Sequence, residues 1–143
     1  MMVLPDVNVL VAIAWPEHTF HAAAVAWFDA HADGGWATCP ITELGFLRIS
    51  ANATVVEAPV RPNQAAALLA ELQRIGDHQF WADDIQLSTS ELFPLDRLIG
   101  HRQVTDAYLL AICGQHGAML ATFDRGLAVL AHGLPEVAVT VIS

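Results

Sequence analysis

Short apolar runs alternate with longer segments of helical spacing along the whole chain. Residues 3–4 and 7–12 open it with an apolar run, read as a buried strand passing into a helix. Residues 18–32 are Ala-rich with Val25, Trp27 and Phe28 at helical spacing, and Gly34-Gly35 ends that helix before a short strand at 36–39. Pro40 and Pro62 each stand where proline favours the first turn of a helix, which predicts helices over 41–51 and 63–75, the second stopped by Gly76. A strand at 79–82 and a short helix at 89–98 follow. Residues 104–113 are apolar nearly all round, as in a buried helix. A strand at 118–122, a short helix at 125–131 and a closing strand at 137–142 complete the pattern. Strands of this length alternating with helices imply βαβ units, an α/β fold and a mainly parallel sheet. In such sheets function gathers where the carboxyl ends of strands meet helix starts.

The chain has 143 residues and shows no repeat, low-complexity tract or linker, so residues 1–143 read as one domain. Apolar residues make up 55% and charged residues 15%, which excludes a disordered tail and points to a large core with an apolar subunit interface. No apolar run reaches the roughly 20 residues of a membrane span, and no basic leader precedes the first strand. Cys39 and Cys113 lie in apolar surroundings, as free thiols do in a reducing compartment. A soluble cytoplasmic protein is expected.

Six arginines, no lysine and fifteen acids give a net charge of −9. No basic stripe offers a general grip on nucleic acid. A polyanionic substrate would therefore need positive charge from metal ions or a basic partner.

Most of the acids fall on polar faces or in loops. Four interrupt apolar sequence instead: Asp6 just past the first strand, Glu43 on the helix after Pro40, Asp106 opening the buried helix, and Asp124 ending the strand at 118–122. Asp6, Asp106 and Asp124 each suit an ordinary role at a helix N-terminus, and Glu43 suits a first turn. Convergence on one sheet edge changes the energetics. Four carboxylates about 6 Å apart at an effective dielectric near 20 repel by roughly 3 kcal/mol per pair, about 17 kcal/mol in all. That rivals the ~5–15 kcal/mol stability of a whole domain. Protonation or a bound cation must relieve it, and all-oxygen ligands favour Mg²⁺ or Mn²⁺ over zinc. Such ions polarise phosphoryl oxygens and activate water, so phosphodiester hydrolysis fits.

These residues carry a family resemblance. Asp6-Val7-Asn8, Glu43, Thr105-Asp106-Ala107-Tyr108-Leu109 and Thr122-Phe123-Asp124 resemble the ordered acidic motifs of PIN-domain nucleases. The stretch from Gly100 to Asp106 is similar to the VapC toxins of bacterial toxin–antitoxin pairs. The resemblance covers essentially the whole chain. It implies a three-layer α/β/α sandwich and an Mg²⁺- or Mn²⁺-dependent endoribonuclease, often dimeric, that cuts a structured RNA (tRNA or rRNA) and is paired with a cognate antitoxin. It makes Asp6, Glu43, Asp106 and Asp124 the metal-binding catalytic acids for one or two ions, with Asn8 supporting Asp6 and Thr122 orienting ligands or water. None of these six positions departs from the family's pattern.

Arg102 and Arg125 flank two of the acids and are candidates for RNA phosphate contact, with an internal salt bridge as the competing role. His101 reads as a loop residue, and the four tryptophans as core or interface. The loops at 53–61 and 83–89 are candidates for substrate recognition. Competing functions are a small phosphatase, a receiver-like or regulatory binding module whose acids hold an ion, and an inactive binding partner. The absence of lysine counts against the phosphatase and receiver alternatives.

Overall fold

A computed structural model describes residues 1–89, 91–134 and 138–143. Five strands form one parallel sheet in the order β3-β2-β1-β4-β5. They are β1 (Val3–Pro5), β2 (Trp36–Thr38), β3 (His78–Phe80), β4 (Met119–Thr122) and β5 (Ala138–Val141). The helices are α1 (Val7–Ala14), α2 (His21–His31), α3 (Pro40–Ser50), α4 (Pro62–Leu72), α5 (Val104–His116) and α6 (Arg125–Ala131).

Alternation along the strands builds two cores. Val3, Trp36 and Ala121 point to one side, where they pack with Val9, Leu10, Ala24, Phe28, Phe46 and Leu69 of α1 to α4. Leu4, Ala37 and Leu120 point to the other, against Leu109, Leu110, Ile112 and Leu127 of α5 and α6. The result is the expected three-layer α/β/α sandwich. On the first side α3 crosses close to α1 at Gly45, where a Cβ would lie 2.6 Å from Val7 Cγ2.

The strand order places a topological switch between β1 and β4: from β1 the chain builds outward to β2 and β3, then returns to β4 on the other side. A crevice opens outside the carboxyl ends of strands at such a point. Asp6 follows β1 and Asp124 follows β4, and the Asp6 amide still bonds to the Ala121 carbonyl at 2.8 Å.

Several boundaries differ from expectation for identifiable reasons. Among the described residues of 89–98 no α-helix forms: Pro94 removes a donor and disfavours helix before it, leaving one 3₁₀ turn at Leu95–Arg97. Ser90, within that stretch, lies outside the described residues, as do Val137 at the start of the predicted last strand and Glu136. Helix α2 begins at His21 because His18 Nδ1 captures the Phe20 amide at 3.0 Å in a preceding turn. Helix α4 stops at Leu72, and the chain turns back through Gly76 at φ +65. Helix α5 runs past Cys113 to His116 and closes on Gly117 in the left-handed region, φ +62.

Both cysteines are free and buried, and burial pushes their thiols up. Trp15, Trp36 and Trp81 are buried and Trp27 is half-buried, in keeping with core roles. No helix among the described residues is long and apolar enough to cross a membrane.

Candidate active site

Asp6 and Asp124 both cap helices, and both belong to one hydrogen-bonded chain. Asp6 Oδ1 accepts from the Val7 amide at 2.7 Å at the start of α1. Its other oxygen accepts from Thr122 Oγ1 at 3.2 Å. Thr122, 1% exposed, in turn accepts from the Asp124 amide at 3.0 Å. Asp124 Oδ1 accepts from the Gly126 amide at 2.8 Å, capping α6. The caps fix where these two carboxylates stand. Thr122 thus links the Asp6 carboxylate to the Asp124 backbone through one hydroxyl.

Asp106 stands in the first turn of α5 with no hydrogen-bond partner among the described residues. Burial, then the charges of Asp6 and Asp124, push its carboxyl up to about 6. Asp6 is raised too, by burial first and with a contribution from Asp124, against the lowering bonds from Val7 and Thr122. These three carboxylates thus feel one another across the β1/β4 crevice. Among the described residues no arginine or histidine forms an ion pair with any of them.

Glu43 is held differently. Its Oε2 accepts from Thr38 Oγ1 at 2.6 Å and from Gln73 Nε2 at 3.1 Å. With its single proton directed at Glu43, the Thr38 hydroxyl accepts from His78 Nε2 at 2.8 Å. Gln73 reaches this network because α4 ends one residue before it. Sequence reasoning missed Thr38, Gln73 and His78. No motif marks them, because they come together only through the pairing of β2 with β3 and the end of α4 beside it.

Asn8 is exposed and makes no hydrogen bond to Asp6, whose oxygens are taken by Val7 and Thr122. It lines a cavity of about 160 Å³ with Val11, Trp15, Glu17, His18 and loop residues 55–57. Arg102 and Arg125 are exposed and free of internal ion pairs among the described residues, which leaves them available to an anion. His101 is exposed in a 3₁₀ turn beside Arg102.

Among the described residues, no three acid, imidazole or thiol groups are gathered closely enough to hold a metal ion. The donor set still suits a hard cation. It is all oxygen, and Asp106 sits beside two like charges that no basic side chain offsets.

The parallel sheet therefore carries carboxylates after β1 and β4 and on the helix leading into β4. The PIN-domain model matches residues 3–133, and the chain belongs to the PIN-domain family. Within it, the chain is similar over nearly its full length to VapC proteins. It is 45% identical over 138 residues to Ribonuclease VapC39 of Mycobacterium tuberculosis, covering 96% of this chain and 99% of that one. It is 44% identical over 142 residues to Ribonuclease VapC38 of the same organism, covering 99% of both. Among solved structures, VapBC2 from Rickettsia felis, bound to a DNA fragment from its promoter, superposes with a TM-score of 0.68 over 100% of both chains at 11% identity. FitAB bound to an IR36 DNA fragment gives 0.64 at 20% identity, over 97% of this chain and 94% of the other. These two likenesses show the fold.

Proposed function

We propose that the chain is a divalent-metal-dependent endoribonuclease, the toxin of a toxin–antitoxin pair, acting in the cytoplasm on structured RNA such as tRNA or rRNA. The observation that carries this is the un-neutralised carboxylate set at the β1/β4 crevice, in a chain whose relatives are named ribonucleases. Asp6, Asp106 and Asp124, with Glu43, would hold one or two Mg²⁺ or Mn²⁺ ions. Bound there, such an ion polarises the phosphoryl oxygen, lowers the pKa of a water and steadies the leaving oxygen.

The chain's own groups do the positioning. The Val7 and Gly126 amides and the Thr122 hydroxyl hold Asp6 and Asp124 so that little reorganisation accompanies the reaction. Thr38 and Gln73 orient Glu43, and His78 fixes the Thr38 hydroxyl. Arg102 and Arg125 contact RNA phosphates, where a guanidinium matches the anion bidentately.

A net charge of −9 with an acidic crevice complements a basic antitoxin segment, which would set an Arg or Lys against the carboxylates. Exposed Ile99 and Val129, 95% and 74% accessible, add to the composition in favouring a homodimer. The test is incubation of the antitoxin-free chain with cellular RNA in Mg²⁺ or Mn²⁺, beside EDTA and Asp6→Asn controls. Discrete new 5′ ends that need both the metal and Asp6 support the reading. Folded, metal-binding protein that yields none overturns it.

A further inference from the structure

We propose that the stack of exposed Phe20 on half-buried Phe123, with His18 beside it, is a subsite for one unstacked nucleobase of the RNA, next to the cleavage centre. The proposal rests on the ribonuclease reading above. Phe20 is 46% exposed at the start of α2, where it makes no capping hydrogen bond. Its ring lies 4.7 Å from that of Phe123 at an interplanar angle of 25°. The His18 ring lies 6.2 Å from Phe123 at 24°.

This surface is built rather than incidental. His18 Nδ1 accepts the Phe20 amide at 3.0 Å, and a ring nitrogen of His21 bonds the Ala12 carbonyl at 2.7 Å, tying the turn to α1. Phe123 stands between Thr122 and Asp124, so the aromatic surface begins one residue from a carboxylate of the site.

His18 also lines the neighbouring cavity, which gives the subsite a polar edge. The Asn8 amide has no hydrogen-bond partner among the described residues, and Glu17 and Glu57 are exposed on the same cavity. Carboxylates and an amide oxygen accept from exocyclic amino groups and repel phosphate, so this edge selects a base rather than backbone. Burial and the neighbouring His21 lower the pKa of His18, which favours its neutral ring. Proteins commonly read single-stranded RNA by splaying bases onto such aromatic faces.

The test uses the full chain carrying Asp106→Asn, which prevents cutting, with short single-stranded RNAs bearing 2-aminopurine. Stacking quenches this probe. Quenching by that chain, loss of about 5- to 100-fold in affinity on adding Phe20→Leu, and recovery with Phe20→Trp are expected. Cleavage kinetics of the single Phe20→Leu variant in Mn²⁺ supply the second readout, with a raised KM and an altered choice among cleavage sites. Normal cleavage by the wild type with no quenching, or with Phe20→Leu indistinguishable from it, overturns the subsite and leaves the nuclease standing. A wild type that neither binds nor cuts RNA overturns both. Phe20→Leu that treats RNA normally but loses a basic protein partner reassigns the stack to protein recognition and overturns the proposal.

Discussion

Replacing Asp106 by Asn removes the charge that burial and two neighbouring carboxylates most disfavour, so the variant should be more stable than the wild type without metal. The carboxyl rises from 3.8 to about 6, and at 1.36 kcal/mol per pKa unit this sets a ceiling of about 3 kcal/mol. Asp106 is only half-buried, and solvent screening reduces the figure to about 1 kcal/mol, or about 3 °C in melting temperature. An acid whose folded pKa is raised destabilises the fold fully above that pKa and not at all below its unfolded value. The gap between variant and wild type should therefore be widest above about pH 7 and close as pH falls toward 4. Urea denaturation in EDTA across that range measures it. Adding Mg²⁺ should reverse the order, because the wild type gains binding free energy that the variant forfeits. An Asp106→Asn chain equal to or less stable than the wild type at neutral pH in EDTA, or a gap independent of pH, would refute the reasoning.

Thr122→Val removes the donor to Asp6 and the acceptor of the Asp124 amide. It should cost about 1–3 kcal/mol in stability and depress kcat more than KM, measured by denaturation and single-turnover cleavage. Gly45→Ala drives a Cβ against the stiff Val7 side chain next to Asp6. The overpacking of about 1–3 kcal/mol should outweigh the roughly 1 kcal/mol gain in helix propensity, so the melting temperature falls. Gln73→Ala frees one hold on Glu43 and should shift metal activation to higher Mn²⁺ with little change in stability, read from an activity titration. Cys39 and Cys113 should react with a thiol reagent only as fast as the chain unfolds, in a time course with and without denaturant.

The four candidate acids stand out in the sequence because each breaks an apolar run, and a carboxylate in such a place asks for an explanation that a solvated one does not. The α/β class was legible for a related reason: alternation such as Val3 and Leu4 pointing to opposite cores is a local pattern. Thr38, Gln73 and His78 were not legible. Gln73 and His78 lie 35 and 40 residues beyond Thr38, and only the tertiary fold, with β3 paired beside β2 and α4 ending nearby, brings them to the Thr38–Glu43 pair. Asn8 shows the opposite limit. Its place in the motif suggested a contact with Asp6, yet the capping geometry of α1 gives the Asp6 oxygens to the Val7 amide and Thr122. The missing helix over 89–98 turned on Pro94, a signal present in the sequence that apolar spacing outweighed.

Under the proposed function, Asp6, Glu43, Asp106 and Asp124 act as one metal-dependent cleavage site. The decisive measurement is single-turnover cleavage of a mapped RNA target in Mn²⁺, by the wild type and by each acid-to-amide variant. Folded variants should each lose most of the rate, with double variants little worse than single ones, as groups acting as a unit behave. A variant at any of the four positions that cleaves at the wild-type rate, or cleavage that persists in EDTA, would contradict it.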